Sequence, residues 1–218
     1  MTEGGNDAGA LSAYRLGPMR FFIARHAETV HNASGRMQGN EAHAPLTHRG
    51  IAQAHAMGER LAVQLGGGPA ALDIWASPAG RTLQTAAILA EHIGHDYFDV
   101  RIDPRLREIE VGLWAGRLYA DIVAEMGPIL CPDRRSFTVR PPGGEDHRDV
   151  AARVADWLTE VPAGRDLLVV THGVTSRVLR GLLASGAPFQ GVAFADSLPQ
   201  GSIVAVENGR ETLLHANG

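Results

Sequence analysis

The 218-residue sequence has a single cysteine, Cys131, no strong excess of charge of either sign and no long apolar run. One cysteine cannot form an intrachain disulfide, so the fold does not depend on an oxidising compartment. No activating motif surrounds Cys131, and we interpret it as structural or incidental. The formal net charge of -4 indicates no polyanion-binding surface, and nucleic acid is not expected as a partner.

Targeting and membrane signals are also missing. No stretch approaches the ~20 apolar residues of a membrane span, so no membrane partner is expected. The first 18 residues are rich in Gly, Ala and polar types and lack the apolar run of a signal peptide. We therefore predict a cytoplasmic protein with a flexible tail at residues 1–17 and a single domain at residues 18–218.

Short apolar runs alternate with segments of helical periodicity along the chain. The runs Met19–Ala24, Leu72–Ala76 and Leu167–Thr171 are typical of buried strands, and Tyr97–Arg101 is predicted to be a further strand. Thr47 is a candidate cap for the first long helix. Helical spacing predicts helices at Ile51–Leu65, Leu83–Ile93, Leu118–Met126, Val150–Val161 and Val174–Ala184.

The remaining segments are predicted to be loops and one hairpin. A polar loop runs from about Ala27 to Leu46, and the proline-rich stretch Cys131–Glu145 is a second loop. Asn208-Gly209 between two short apolar stretches predicts a closing β-hairpin. This order of elements predicts an α/β fold, a three-layer α/β/α sandwich with a mostly parallel central sheet.

Polar clusters follow three of the predicted strands. Arg25-His26 follows the first strand, Ser77 through Arg81 the second, and His172-Gly173 the strand that ends at Thr171. Because sites in such folds lie at the carboxyl ends of strands, these clusters are expected to meet. A carboxylate, Glu108, lies in a separate segment with a second acid two residues later.

This set of side chains favours phosphoryl transfer. Two arginines stay protonated at working pH, and their planar groups match phosphate oxygens. A neutral imidazole beside them can attack phosphorus, and a carboxylic acid can protonate the leaving oxygen. Because cationic side chains can neutralise the equatorial oxygens, the chemistry requires neither a metal nor a cofactor.

The motifs resemble those of the histidine phosphatase superfamily, the phosphoglycerate-mutase-like enzymes. The resemblance covers roughly residues 19–206, and five clusters in the family's order make it specific. The matching stretches are Arg25-His26-Ala27, Glu28 to Asn32, Gly35 to Gly39, Pro45 to Ala54, Ser77 to Ala86, Leu106 to Gly116, Pro142 to Glu145 and Thr171 to Gly173.

The resemblance implies a role for each matching residue. His26 is the nucleophile that becomes phosphohistidine, and Glu108 is the proton donor. Arg25, Arg81 and His172 surround the transferred phosphoryl group, while substrate contacts are implied for Asn32, Thr29, Gln38, Ser77 and Gly173. From the residues alone, Asn32, Thr29 and Gln38 could equally hold the loop, and Glu108 could form a surface ion pair.

One departure from the family's pattern and two open alternatives accompany the match. Asp146 stands where the family has serine after Gly-Gly-Glu, which leaves the function of that position open. Glu110 could substitute for Glu108, although its spacing fits less well. The arginines of the proline-rich loop either form a basic lip for a second anionic group or are solvated: Arg134, Arg135 and Arg140.

Three functions remain open from the sequence: a phosphatase, a cofactor-dependent phosphoglycerate mutase and a catalytically idle protein that binds phosphorylated ligands. Mutases of this family carry a long insertion before Pro-Gly-Gly, whereas only Leu113–Pro141 intervenes here. A short lid excludes water poorly, which favours a phosphatase acting on small phosphomonoesters. The sequence determines neither the substrate nor the oligomeric state, and a homodimer is allowed.

Overall fold

The computed structural model describes residues 19–67, 71–132, 136–185 and 195–216. The predicted tail at residues 1–17, and Arg134 and Arg135, lie outside these ranges. The strands are β1 (Phe21–Arg25), β2 (Leu72–Ala76), β3 (Arg101–Ile102), β4 (Asp166–Thr171), β5 (Ile203–Glu207) and β6 (Arg210–His215). They form one sheet in the order β3-β2-β4-β1-β5-β6. Three of the five neighbouring pairs are parallel, as predicted.

Helices cover both faces of this sheet. Alternate side chains of β1 point to opposite faces, because the side-chain period of a strand is two residues. The helices are α1 (Val30–Ala33), α2 (His48–Gln64), α3 (Gly80–His92), α4 (Tyr119–Met126), α5 (His147–Glu160) and α6 (Gly173–Ser185). Phe21 and Ile23 pack with α5 and α6, whereas Phe22 and Ala24 pack with α2 and α3. This confirms the three-layer sandwich.

Local sequence signals set several element ends. The Thr47 side chain accepts a hydrogen bond from the Gly50 N–H and caps α2. Asn208 and Gly209 adopt φ values of 50° and 75° between β5 and β6. These left-handed values are those of the two-residue turn that Asn-Gly favours, so the predicted hairpin is confirmed.

The predicted strand Tyr97–Arg101 is wrong. Tyr97–Asp99 forms a 3-10 turn, and only Arg101–Ile102 pairs with β2. The Asp96 side chain accepts a hydrogen bond from the Phe98 N–H at 2.9 Å and starts the turn. The Phe98 side chain is 91% exposed, so the apolar composition of this segment reflects no burial in a sheet.

None of the described helices combines the length and the apolar composition that a membrane crossing requires.

Candidate active site

The carboxyl ends of β1, β2 and β4 meet at one edge of the sheet and carry the predicted polar residues. The His26 N–H donates to the Thr171 carbonyl at 2.9 Å, and the Ser77 N–H donates to the Val170 carbonyl at 3.1 Å. The rings of His26 and His172 lie edge to face with centroids 5.2 Å apart. Parallel pairing thus brings together residues that are far apart in the chain.

The imidazole of His26 is neutral and has one nitrogen available. Its Nδ1 lies 2.8 Å from the carbonyl oxygen of Ala27. A carbonyl only accepts hydrogen bonds, so Nδ1 carries the hydrogen and the lone pair is on Nε2. Burial, followed by the charges of Arg81 and Arg25, holds the pKa of His26 well below its usual range. The Nε2 atom can therefore act as a nucleophile.

His172 lies in a chain of side-chain hydrogen bonds. The Nε of Arg81 donates to its Nδ1 at 3.2 Å, so its Nε2 carries the hydrogen and donates to the Ser77 hydroxyl at 2.7 Å. All three side chains are fully buried. Burial and the Arg81 charge hold the pKa of His172 well below its usual value.

Arg81, in the first turn of α3, is a cation fixed by carbonyl oxygens. Its two terminal nitrogens donate to the carbonyls of Gly39, at 2.7 Å, and Glu41. Burial lowers the pKa of Arg81 to about 10, while the charges of Glu108 and Glu41 act in the opposite direction. The group stays protonated near neutrality and places its charge beside His26.

Arg25, the last residue of β1, is held from two sides. Its backbone N–H donates to the Ser202 carbonyl at 2.9 Å, and its guanidinium donates to the Leu198 carbonyl. A Cβ atom on Gly173 would lie 3.2 Å from the guanidinium carbon of Arg25. The absence of a side chain at the predicted site residue Gly173 therefore leaves room for this second cation.

The loop between β1 and α2 contains α1, which the sequence did not reveal. Thr29 and Asn32 cap this short helix reciprocally, and the buried Thr29 hydroxyl also lies 2.6 Å from the Gln38 side-chain oxygen. The Asn32 Oδ1 accepts a hydrogen bond from the Thr29 N–H at 3.1 Å. The NH2 group of the Asn32 amide is therefore the part that can donate to a phosphate oxygen. Thr29 thus supports the loop, while Asn32 and Gln38 reach the cleft.

The carboxylate of Glu108 lies at the start of α6. It accepts hydrogen bonds from the backbone N–H groups of Val174 and Thr175, at 3.1 to 3.2 Å, and from Ile109 at 3.0 Å. Since α6 begins directly after His172, the same strand-to-helix junction orients the imidazole and the carboxylate.

Glu110 and Arg140 lie apart from this group. The Glu110 carboxylate accepts from the Gly112 N–H at 3.2 Å. Arg140 forms an ion pair with Asp149 at 2.8 Å and lines a separate cleft of about 300 Å³. Asp146 caps α5 through the N–H groups of Arg148 and Asp149, which accounts for an acid where the family has serine. Arg140 therefore does not form a lip of the active site.

A cleft of about 180 Å³ opens at this edge of the sheet. Six predicted residues line it: Arg25, His26, Asn32, Gln38, Arg81 and Glu108. The other four predicted residues lie behind the lining: Thr29, Ser77, His172 and Gly173. The prediction missed further lining residues: Arg36, Met37, Gly39, Ile109, Val111, Phe137 and Val174. Most of these adjoin a motif residue, whereas Phe137 has no local signal.

Among the described residues, no group of three or more His, Cys, Asp or Glu side chains is arranged to hold a metal ion.

Known proteins are similar to this chain in sequence and fold. A family model, the histidine phosphatase superfamily (branch 1), matches residues 21–217. The probable phosphoglycerate mutase GpmB of Yersinia pestis is 34% identical over 170 residues, which cover 72% of this chain and 70% of that protein.

Two solved structures are similar over most of their length. A mycobacterial glucosyl-3-phosphoglycerate phosphatase, solved with VO3, is 29% identical with a TM-score of 0.69 and covers 89% of this chain and 96% of its own. A candidate alpha-ribazole-5'-P phosphatase of Escherichia coli is 26% identical with a TM-score of 0.67, covering 93% and 97%. The chain belongs to branch 1 of the histidine phosphatase superfamily and is a phosphatase or mutase-like enzyme.

Proposed function

We propose that the protein is a metal-independent phosphatase that hydrolyses small phosphomonoesters through a phosphohistidine on His26. The observation that carries this proposal is the neutral imidazole of His26, with its Nε2 lone pair, in a cleft that Arg25 and Arg81 also line. Arg25 and Arg81 offer the fixed positive charge that a transferred phosphoryl group requires. Their charges also replace the neutralising effect of a metal ion.

The reaction proceeds in two steps. In the first, Nε2 of His26 forms a bond to phosphorus while the ester P–O bond breaks, and the carboxylic acid of Glu108 gives its proton to the leaving oxygen. In the second, Glu108 as carboxylate takes a proton from water, whose oxygen attacks phosphorus as the P–N bond breaks. The products are an alcohol and inorganic phosphate, with His26 and Glu108 returned to their starting forms.

The composition of the cleft allows a second anionic group on the substrate but surrounds it mainly with apolar side chains. A phosphoglycerate carries a carboxylate besides its phosphate, and binding both requires a cation beyond Arg25 and Arg81. Among the described lining residues the only further cation is Arg36, whose Nη1 donates to the Gly116 carbonyl at 2.7 Å. Five of the other lining side chains are apolar: Met37, Ile109, Val111, Phe137 and Val174.

A phosphoglycerate mutase is the second candidate, because a relative at 34% identity is described as one. The short segment between the acid and Pro-Gly-Gly argues against it, since a mutase must exclude water from the phosphohistidine. A non-catalytic phospho-ligand binder is disfavoured because no member of the catalytic set is missing.

The deciding experiment measures two products in the presence of EDTA. Purified protein is given p-nitrophenyl phosphate, phenyl phosphate, sugar phosphates and 3-phosphoglycerate, and both phosphate release and 2-phosphoglycerate formation are recorded. We expect phosphate release to dominate and to resist EDTA. Interconversion of phosphoglycerates faster than phosphate release would establish the mutase instead.

Two variants test the nucleophile. His26→Ala should be inactive and fail to retain acid-labile ³²P from labelled substrate, while His48→Ala, at the exposed start of α2, should behave as the parent. Retained turnover in a folded His26→Ala variant would remove His26 from its assigned role. Ligand binding without any turnover in the parent would favour the idle binder.

A further inference from the structure

The carboxylate of Glu145 connects two segments of the chain, residues 107–111 and residues 142–145, and we call this contact the junction. Its oxygens accept hydrogen bonds from the Arg107 guanidinium, from the Glu110 N–H at 3.0 Å and from two nitrogens of Arg153 at 3.2 and 3.3 Å. The Glu145 N–H in turn donates to the Glu110 carbonyl at 2.8 Å. Glu145 thus contacts residues on both sides of Glu108.

The segment that carries Glu108 depends on such contacts because it has little regular structure. Residues 107–111 follow a 3-10 turn at Pro104–Leu106 and precede another at Gly112–Trp114. Four carbonyl oxygens accept hydrogen bonds, two in the preceding turn and two in the segment: Arg105 from Arg153, Leu106 from Thr171, Arg107 from Thr175, and Glu110 from Glu145.

Backbone contact reinforces the junction. A Cβ atom on Gly144 would lie 2.3 Å from the Glu110 carbonyl oxygen, and one on Gly112 would lie 2.1 Å from the Pro142 carbonyl oxygen. Both are glycines at points where no side chain fits. The stretch Pro142–Glu145 therefore lies directly against the acid segment.

We propose that Glu145 is a positioning residue for Glu108, an inference that rests on the proposed function. Its side chain is only 14% exposed and neutralises Arg107 and the nearly buried Arg153. Without the carboxylate, two guanidinium groups lose their counter-charge, and the Glu110 N–H loses its acceptor. The backbone that fixes the Glu108 carboxyl group then loosens, although nothing that binds the phosphoryl group has changed.

A loss of Glu108 positioning should slow the hydrolysis of some esters more than others, whereas general destabilisation should slow the hydrolysis of all esters equally. Proton donation matters for a poor leaving group such as an alkoxide and matters little for p-nitrophenolate, which the nitro group stabilises. The ratio of kcat/KM for p-nitrophenyl phosphate to kcat/KM for an alkyl phosphate therefore reports on Glu108. The ratio kcat/KM is suited to this because it covers binding and the first phosphoryl transfer.

The experiment compares Glu145→Gln with Glu108→Gln and with the parent. We expect both variants to lose about ten- to a hundredfold more kcat/KM on the alkyl ester than on p-nitrophenyl phosphate. Inhibition by vanadate, a phosphate analogue, should change by less than about twofold. Arg107→Gln alters a more exposed partner of the same junction and should show the same signature if Glu145→Gln fails to fold.

Asp166→Asn is the matched control, because Asp166 also accepts hydrogen bonds from a guanidinium and a backbone N–H, both of Arg20, near the start of β4. It should leave the substrate ratio unchanged. If Glu145→Gln lost equal kcat/KM on both esters while Glu108→Gln lost more on the alkyl ester, the positioning inference alone would be overturned. An inactive parent, or a Glu108→Gln variant without selectivity, would overturn the proposed function and this inference with it.

Discussion

The two sides of the cleft are built differently. On the phosphate side, His26, Arg81 and His172 are buried and hold one another through side-chain contacts over short distances. On the acid side, Glu108 is partly exposed, and its carboxylate is held by backbone N–H groups on a segment that other residues fix.

This difference indicates that the two sides have different functions in the proposed reaction. The phosphate side has one arrangement of charge that suits any phosphomonoester, since the phosphoryl group is common to them all. In the proposed reaction the acid side meets the leaving group, which varies, and we expect its loops to determine which esters are accepted. Substitutions on the phosphate side should therefore affect all substrates alike, whereas those on the acid side should discriminate between leaving groups.

Replacing Arg81 by lysine should have the largest effect. The guanidinium donates in three directions, to His172, Gly39 and Glu41, and an ammonium group cannot reproduce that planar fork. We expect kcat/KM to fall about 10²- to 10³-fold on p-nitrophenyl phosphate and on alkyl phosphates alike.

Steady-state kinetics on both esters, with vanadate inhibition in parallel, tests this. Vanadate should bind less tightly to Arg81→Lys, in contrast to Glu108→Gln. A loss confined to alkyl esters would mean that Arg81 acts on the leaving group, and the two sides would not be separate.

The phosphate side was predictable from the sequence because its members follow strands directly. Arg25-His26, Ser77 and His172 each come immediately after an apolar run, and parallel strands bring their carboxyl ends to one edge. The sheet, its two helical faces and the closing hairpin followed from periodicity and the Asn-Gly signal in the same way.

The acid side was less predictable because its contacts are long-range. Glu145 meets Glu110 across 35 residues, and no local pattern marks either as a partner of the other. One feature of the phosphate side was equally hidden, because two of the acceptors of Arg81 are backbone carbonyls, which carry no side-chain signal. The strand predicted at Tyr97–Arg101 was wrong for a different reason. Its apolar composition did not reveal that a capping aspartate, Asp96, starts a turn there.

Acidification should lower the stability of the folded protein through the two buried histidines of the phosphate side. Burial holds the pKa values of His26 and His172 well below 6.5, so both stay neutral in the folded protein and take up protons on unfolding. Their contribution to stability is complete above about pH 6.5 and is lost as the pH falls toward their folded pKa values. Each should reduce the free energy of unfolding by about 1.4 kcal/mol per pH unit in that window.

Urea unfolding between pH 7 and pH 5, in buffers free of phosphate, measures this slope. His26→Ala removes one of the two sites and should reduce the slope by about one proton, whereas His48→Ala should retain it. An identical slope in the parent and in His26→Ala would show that His26 is not held neutral by its surroundings.

Gly173→Ala should have the smallest effect and is the finest test of the comparison. The added methyl group would meet the Arg25 guanidinium at 3.2 Å, so that cation must shift by a few tenths of an ångström. We expect roughly a fivefold loss of kcat/KM, equal for good and poor leaving groups, with weaker vanadate inhibition. Alanine has a higher helix propensity than glycine, so the Tm of the variant should stay the same or rise. An unchanged or higher Tm would separate the loss of kcat/KM from unfolding. A selective loss on alkyl phosphates would instead place the disturbance at Glu108, which binds the next residues of α6, and would show that the strand-to-helix junction couples the two sides.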